Sequence, residues 1–176
     1  MPIDFPLSLL ILFFLRYMKM SLITVFGATG NQGSSVVRSL LQNPSFRVRA
    51  ITRTPLSPTS QALSAVGAEV VQADGFKAEE IRAAFDGSWG AFVNINSDDK
   101  IFTNPDGPTE FDLGKTIVDA AAGAGVKHFV FSSGPPCTEM TKGKVRMKAM
   151  DSRIFSFLTR CSFYVKSLIF PSEIPD

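Results

Sequence analysis

One histidine, two cysteines and two tyrosines in 176 residues leave little material for several kinds of chemistry. Cys137 and Cys161 match no metal-ligand spacing, and a single His128 cannot complete a zinc set with them. Two cysteines make no disulfide framework, so reduced thiols in an intracellular protein are the expectation. A formal net charge of +2, with 19% charged residues, offers no basic surplus for gripping a phosphate backbone, which argues against direct binding of nucleic acid. No solenoid period is visible, and no apolar run reaches the roughly twenty residues a spanning helix needs. The longest candidate, residues 5–15, has Asp4 before it and Arg16 and Lys19 after it, the reverse of a secretory signal. Residues 1–20 therefore read as a leader outside the fold, with Met18 or Met20 as the expected natural start, and a membrane role is disfavoured. One further scarcity is local: no Asp or Glu occurs between Gly33 and Glu69.

What is present is a short β-branched and aromatic run, Leu22 to Phe26, that stops at a glycine loop, Gly27-Ala28-Thr29-Gly30-Asn31-Gln32-Gly33, and resumes at helical spacing with Val36, Val37, Leu40 and Leu41. The pattern predicts strand, turn and helix, the context a dinucleotide-binding fingerprint requires. The three glycines serve different purposes, with Gly27 making a sharp turn, Gly30 allowing close approach of a pyrophosphate, and Gly33 allowing helix-to-strand packing. A helix opening near Asn31 would aim unpaired N–H groups and its positive dipole end at that anion.

Beyond the loop, strands are expected at 46–52, 69–73, 89–95 and 127–132, with helices at 59–66, 78–85 and 109–122, the last capped by Thr109. Such alternation indicates right-handed βαβ units and a doubly wound parallel sheet of about five strands, an α/β fold over residues 21–151. Residues 154–170 follow neither period. The tail from 152 is expected to diverge from the fold, with no second domain after it.

Ligands of a doubly wound sheet sit at the carboxyl ends of its strands, so the residues just past each strand are the candidates. Thr29, Asn31 and Gln32 can hydrogen-bond phosphate or ribose, with helix capping as the alternative for Asn31 and Gln32. The acidic residue that selects NAD, about twenty residues past the glycines, is missing, and Arg53 stands at the second strand's end. An arginine fork pairs with a 2′-phosphate where a carboxylate would repel it, so NADP(H) is expected over NAD(H); a solvated surface charge is the alternative for Arg53. Asp74-Gly75-Phe76 could touch adenine or form a plain turn. Asn94, Asn96 and Ser97 lie where a nicotinamide ribose would pass, with Asn96 favoured. Ser132 and Ser133 end the fifth strand, while His128 begins it and reads as structural.

The GATGNQG loop, Arg53 after the second strand, and Val126-Lys127-His128-Phe129-Val130-Phe131-Ser132-Ser133-Gly134 together resemble the NmrA-like family of atypical short-chain dehydrogenase/reductases over about Ser21 to Asp151. The resemblance implies an NADP-type ligand, a role for Ser132 or Ser133 near the reactive end of the cofactor, and one of two functions. One is a redox-sensing module that binds regulatory proteins such as transcription factors; the other is an NADPH-dependent oxidoreductase acting on quinones or carbonyls. A cytoplasmic or nuclear location follows from either. The Tyr-x-x-x-Lys pair of short-chain enzymes is absent, since Tyr17 lies in the leader and Tyr164 is followed four residues on by Leu168. Family members also place a lysine where Arg153 stands here. No catalytic residue is therefore assigned, the site reads as incomplete, and sensing is the leading expectation.

Overall fold

The computed structural model describes residues 20–147 and residue 151. Residues 1–19, 148–150 and 152–176, with Tyr17, Arg153, Cys161 and Tyr164, lie outside the described residues. Five parallel strands, β1 (Ser21–Phe26), β2 (Phe46–Thr52), β3 (Glu69–Gln72), β4 (Gly90–Val93) and β5 (His128–Phe131), form one sheet in the order β3-β2-β1-β4-β5. Ile23 pairs with Val48 on one side and Gly90 on the other, which fixes β1 at the centre. The expected doubly wound sheet is therefore observed. Three strands are shorter than expected: β3 ends at Gln72, β5 loses one residue at each end, and β4 begins after Trp89 and ends before Asn94, although the backbones of both remain bonded to β1, through Leu22 O at 2.8 Å and Phe26 O at 3.2 Å.

Helices α1 (Asn31–Leu41) and α2 (Pro58–Ala65) belong to one face of the sheet, α3 (Ala78–Phe85) and α4 (Glu110–Gly123) to the other; a single turn, α5 (Cys137–Met140), follows β5. A strand covered on both faces must be apolar throughout, and β1 buries four successive residues, Leu22 to Val25. Val25, Val37, Val48 and Leu63 fill the α1–α2 side. Ile51, Ile81, Phe85, Val93, Ile117 and Phe131 fill the other. Thr24 is the polar residue in the middle of β1, and its hydroxyl is satisfied at 2.6 Å by Ser88.

The helix ends follow local chemistry. Ser57 caps α2 by accepting from Ser60 N at 3.2 Å, with Pro58 at the first helical position, a signature one residue ahead of the expected start. Thr109 caps α4 as expected, in a reciprocal box with Asp112: Asp112 N donates to Thr109 Oγ1 at 3.2 Å and Thr109 N to Asp112 Oδ2 at 2.8 Å. Hydrogen bonds from the Thr109 hydroxyl and backbone N–H lower the Asp112 pKa. A carboxyl whose folded pKa is depressed contributes stability above its unfolded value of about 4, and that stability is lost as pH falls through the folded value. Thr109→Ala is expected to cost about 1 kcal/mol at neutral pH and clearly less at pH 3. Urea unfolding at the two pH values checks this.

Candidate functional site

Because the connections from β1 and β4 leave in opposite directions, a crevice opens at the carboxyl ends of the central strands. It is a cleft of about 690 Å³, and Gly27, Thr29, Gly30, Asn31, Gln32, Arg53 and Asn96 of the sequence candidates line it. Gly33 and Ser132 are not among its lining residues.

The floor is the β1–α1 turn. Gly27 has φ +74°, a left-handed conformation that suits glycine, and its carbonyl accepts from Gly30 N at 3.1 Å. A Cβ at Gly33 would fall 2.2 Å from Gly27 O, so Gly33 lets the helix press against the turn. Gly30 differs: its φ is −79°, and a Cβ there would meet only Gly27 O at 3.4 Å, an ordinary contact. The protein alone does not require glycine at 30. Gly30 is the N-cap of α1 and supplies no side chain to it, and the first turn carries no acid. The orphan N–H groups of an eleven-residue helix thus lack a side-chain cap at the cleft floor, the usual composition of an anion site.

Asn31 and Gln32 therefore do not cap the helix. The Asn31 carbonyl accepts from the hydroxyls of Ser34 and Ser35, and Gln32 Oε1 accepts from Ser132 Oγ at 2.7 Å. That bond ties the glycine turn to the end of β5 across 100 residues of chain. Asn96 uses Oδ1 to accept from Asp98 N at 3.2 Å, forming a turn in the loop after β4. His128 stands at the opposite end of the sheet, stacked on Trp89 with ring centroids 5.5 Å apart, as expected of a structural residue.

Asp74, Gly75 and Phe76, the possible adenine contact or turn, also line the cleft, whereas Asp99, Phe102 and Leu113 line it with no signal in the sequence alone. Phe76 after β3 and Phe102 after β4 meet edge to face at 6.2 Å. Gly75 lies where a Cβ would be 2.5 Å from Leu113 and 2.8 Å from Phe26, two other walls of the cleft. Asp99 is the largest addition. Its Oδ2 pairs with Arg53 Nη2 at 2.6 Å and its Oδ1 accepts from Ile101 N at 3.2 Å. Partial burial pushes the Asp99 carboxyl up, but the Ile101 N–H and the Arg53 guanidinium outweigh it and leave the pKa below its ordinary value. Arg53 is thus an exposed guanidinium that already has a carboxylate partner. Asp74, Lys77 and Glu80 sit beside it: Lys77 Nζ meets Glu80 Oε1 at 2.9 Å, and Glu80 Oε2 accepts from Asp74 N at 3.0 Å. The Glu80 contact raises the Lys77 pKa, and the Lys77 contact lowers that of Glu80.

Among the described residues no group of three His, Cys, Asp or Glu is placed to hold a metal ion, and no helix is long and apolar enough to cross a membrane.

A turn, a helix terminus and a strand-end arginine in this arrangement invite comparison with known proteins. The sequence profile of the NmrA-like family matches residues 19–154. The NmrA-like family domain-containing oxidoreductase FrzB of Cladobotryum sp is 73% identical over 132 residues, which are 75% of this chain and 39% of that protein. Its counterpart lnaB of Aspergillus flavus is 69% identical over 132 residues, 75% of this chain and 40% of that protein. The chain thus spans about two fifths of the length of these relatives. Among solved structures, a doubly substituted mutant of NmrA superposes with a TM-score of 0.65 at 26% identity, covering 81% of this chain and 41% of that one. The NADPH-dependent quinone oxidoreductase QOR2 of Escherichia coli, complexed with NADPH, superposes with a TM-score of 0.61 at 25% identity, covering 78% and 44%.

Proposed function

Since the chain belongs to the NmrA-like family, we propose that its cleft binds NADP(H), with the pyrophosphate on the α1 N-terminus and the adenosine 2′-phosphate on Arg53. The observation that carries this reading is the glycine turn opening into a helix N-terminus without a side-chain cap, at the floor of a cleft whose rim holds Arg53. Thr29, Gly30, Asn31 and Gln32 would hold the diphosphate, and Gly27 and Gly33 would shape the turn beneath it. Asn96 and Ser132 would face the nicotinamide half, Ser132 positioned through its bond to Gln32. When bound, the nicotinamide supplies or accepts a hydride.

The curated relatives carry the name oxidoreductase, which supports a role for this domain as the dinucleotide half of an NADPH-dependent reductase of quinones or carbonyls. A second reading, a sensor that reports NADP(H) to a regulatory partner in the cytoplasm or nucleus, is favoured by the missing Tyr-x-x-x-Lys pair. Loss of NADPH absorbance with a panel of quinones and carbonyls would select the first; inertness with retained NADP(H) binding would select the second.

Titration of the full chain with NADPH, NADP⁺ and NAD⁺ tests the shared premise. Arg53→Ala is expected to weaken NADP⁺ binding by about 10- to 100-fold, the loss of a charge-assisted hydrogen-bonded contact, and to leave NAD⁺ within about threefold. Equal losses for both nucleotides would remove Arg53 from the 2′-phosphate site.

A further inference from the structure

The glycine loop and Arg53 point to a phosphorylated dinucleotide, but the rim of the cleft has a different charge balance. Among the described residues that line it, one side chain is cationic, Arg53, and three are acidic, Asp74, Asp98 and Asp99. The stretch after β2 is indeed free of acids, yet the topology brings acids in from β3 and β4. β2 and β4 flank β1, so the loop after β4 reaches the end of β2 across the carboxyl end of the central strand.

The two partners of the Arg53–Asp99 pair are held unequally. Asp99 is anchored through its turn: its side chain is 20% exposed, its Oδ1 caps the one-turn helix Lys100–Thr103, its N–H donates to Asn96 O at 3.3 Å, and its carbonyl accepts from Phe102 N at 3.0 Å. Phe102 in turn packs on the core beneath the cleft and against Phe76. Arg53 is 59% exposed. The carboxylate is the fixed element and the guanidinium the movable one. Any second anion that comes to Arg53 must share it with a carboxylate already seated at 2.6 Å, or draw the guanidinium away from it.

We propose that Asp99 is a specificity-determining residue whose carboxylate competes with the 2′-phosphate of a dinucleotide for Arg53, and so holds the cleft's preference for the phosphorylated form below what Arg53 alone would give. The chemistry is that of the usual NAD-selecting acid, which opposes a 2′-phosphate by like-charge repulsion. Its origin differs: the acid comes from the loop after β4 and acts through the arginine. A 2′-hydroxyl carries no charge and meets no such competition. The inference rests on the cleft being the dinucleotide site.

Asp99→Asn tests it, because asparagine keeps Oδ1 as the acceptor for Ile101 N–H while removing the charge; Asp99→Ser, also a good capping residue, serves as the second variant. Dissociation constants for NADP⁺ and NAD⁺ are measured on the full chain, alongside circular dichroism and a urea midpoint to establish that each variant folds. Both variants are expected to tighten NADP⁺ by about tenfold and to leave NAD⁺ within about threefold, so that the affinity ratio rises. In an Arg53→Ala background the same substitution is expected to produce less than half of that gain on a logarithmic scale, since the competition has lost its object.

An unchanged ratio in both folded variants would overturn the proposal and reduce Asp99 to a turn cap. A lowered ratio would overturn it in the other direction, with Asp99 holding Arg53 in place for the phosphate. If wild type and variants bind neither nucleotide, the cleft assignment itself fails and the proposal with it. That outcome is distinct from binding with an unmoved ratio, which spares the cleft and rejects Asp99.

Discussion

Gly33→Ala is expected to destabilise the fold by about 3 kcal/mol, the upper end of the range for overpacking, and to lower the melting temperature by roughly 10 °C. The added Cβ would sit 2.2 Å from Gly27 O, 2.8 Å from Gly27 C and 2.9 Å from Ala28 Cα, all of them backbone atoms. A flexible side chain could swing aside; a turn cannot do so cheaply. Nor can this turn retreat, because on its far side a Cβ at Gly27 would already be 2.3 Å from Asn94 O, which places the β4 end hard against it. The turn is held between α1 and β4, and the methyl would have to push α1 off the sheet where Val37 is fully buried. Against a total stability of about 5 to 15 kcal/mol, that is a large fraction. Gly87→Ala supplies the contrast. Its φ is +70° with nothing near the added atom, so only backbone strain of about 1 kcal/mol remains. A Gly33→Ala protein with an unshifted urea midpoint would show that the loop has slack the close contacts deny.

The parts of this molecule that are legible in the sequence are those whose causes are local. Leu22 to Phe26 announce a buried strand because both faces of β1 are covered, and Thr109 announces a cap because its partner Asp112 is three residues away. Ser57 is equally local, a serine directly before Pro58, and the expected start falls one residue late because a proline reads as readily as loop as it does as the first residue of a helix. The relations that create the site are not local. Arg53 and Asp99 are 46 residues apart, and Gln32 and Ser132 are 100 apart. Nothing in their spacing shows that β4 lies beside β1 with its following loop bent back toward β2. Scarcity of acid after β2 therefore passes, in the sequence, for scarcity of acid around Arg53, and these are different quantities once the chain is folded. Helix capping, the alternative for Gln32, is likewise replaced by a cross-link that only the β1-β4-β5 order makes available.

The glycine triplet shows the same division within one motif. Three identical letters at equal spacing have different physical reasons, and only the surroundings of each separate them. Gly27 is held by its φ and by Asn94, Gly33 by the backbone of Gly27, and Gly30 by nothing in the protein. Gly30→Ala is therefore expected to leave stability within about 1 kcal/mol of wild type, since alanine at an N-cap in extended conformation costs no more than that relative to glycine. Its effect should fall on the ligand. A methyl at the N-cap stands over the first-turn N–H groups, where a pyrophosphate must approach backbone directly to be bonded by them. Even a small outward shift lengthens several charge-assisted hydrogen bonds together, and a loss of about 2 kcal/mol corresponds to roughly 30-fold in affinity. The loss should be the same for NADP⁺ and NAD⁺, because both carry the diphosphate, whereas Arg53→Ala should separate them. Titration of the Gly30→Ala chain with both nucleotides reads this directly. Unchanged binding in a folded protein would mean that the diphosphate does not lie on the α1 terminus. A matched loss, with the urea midpoint held, would mean that the glycine of the triplet the fold does not need is the one the ligand does.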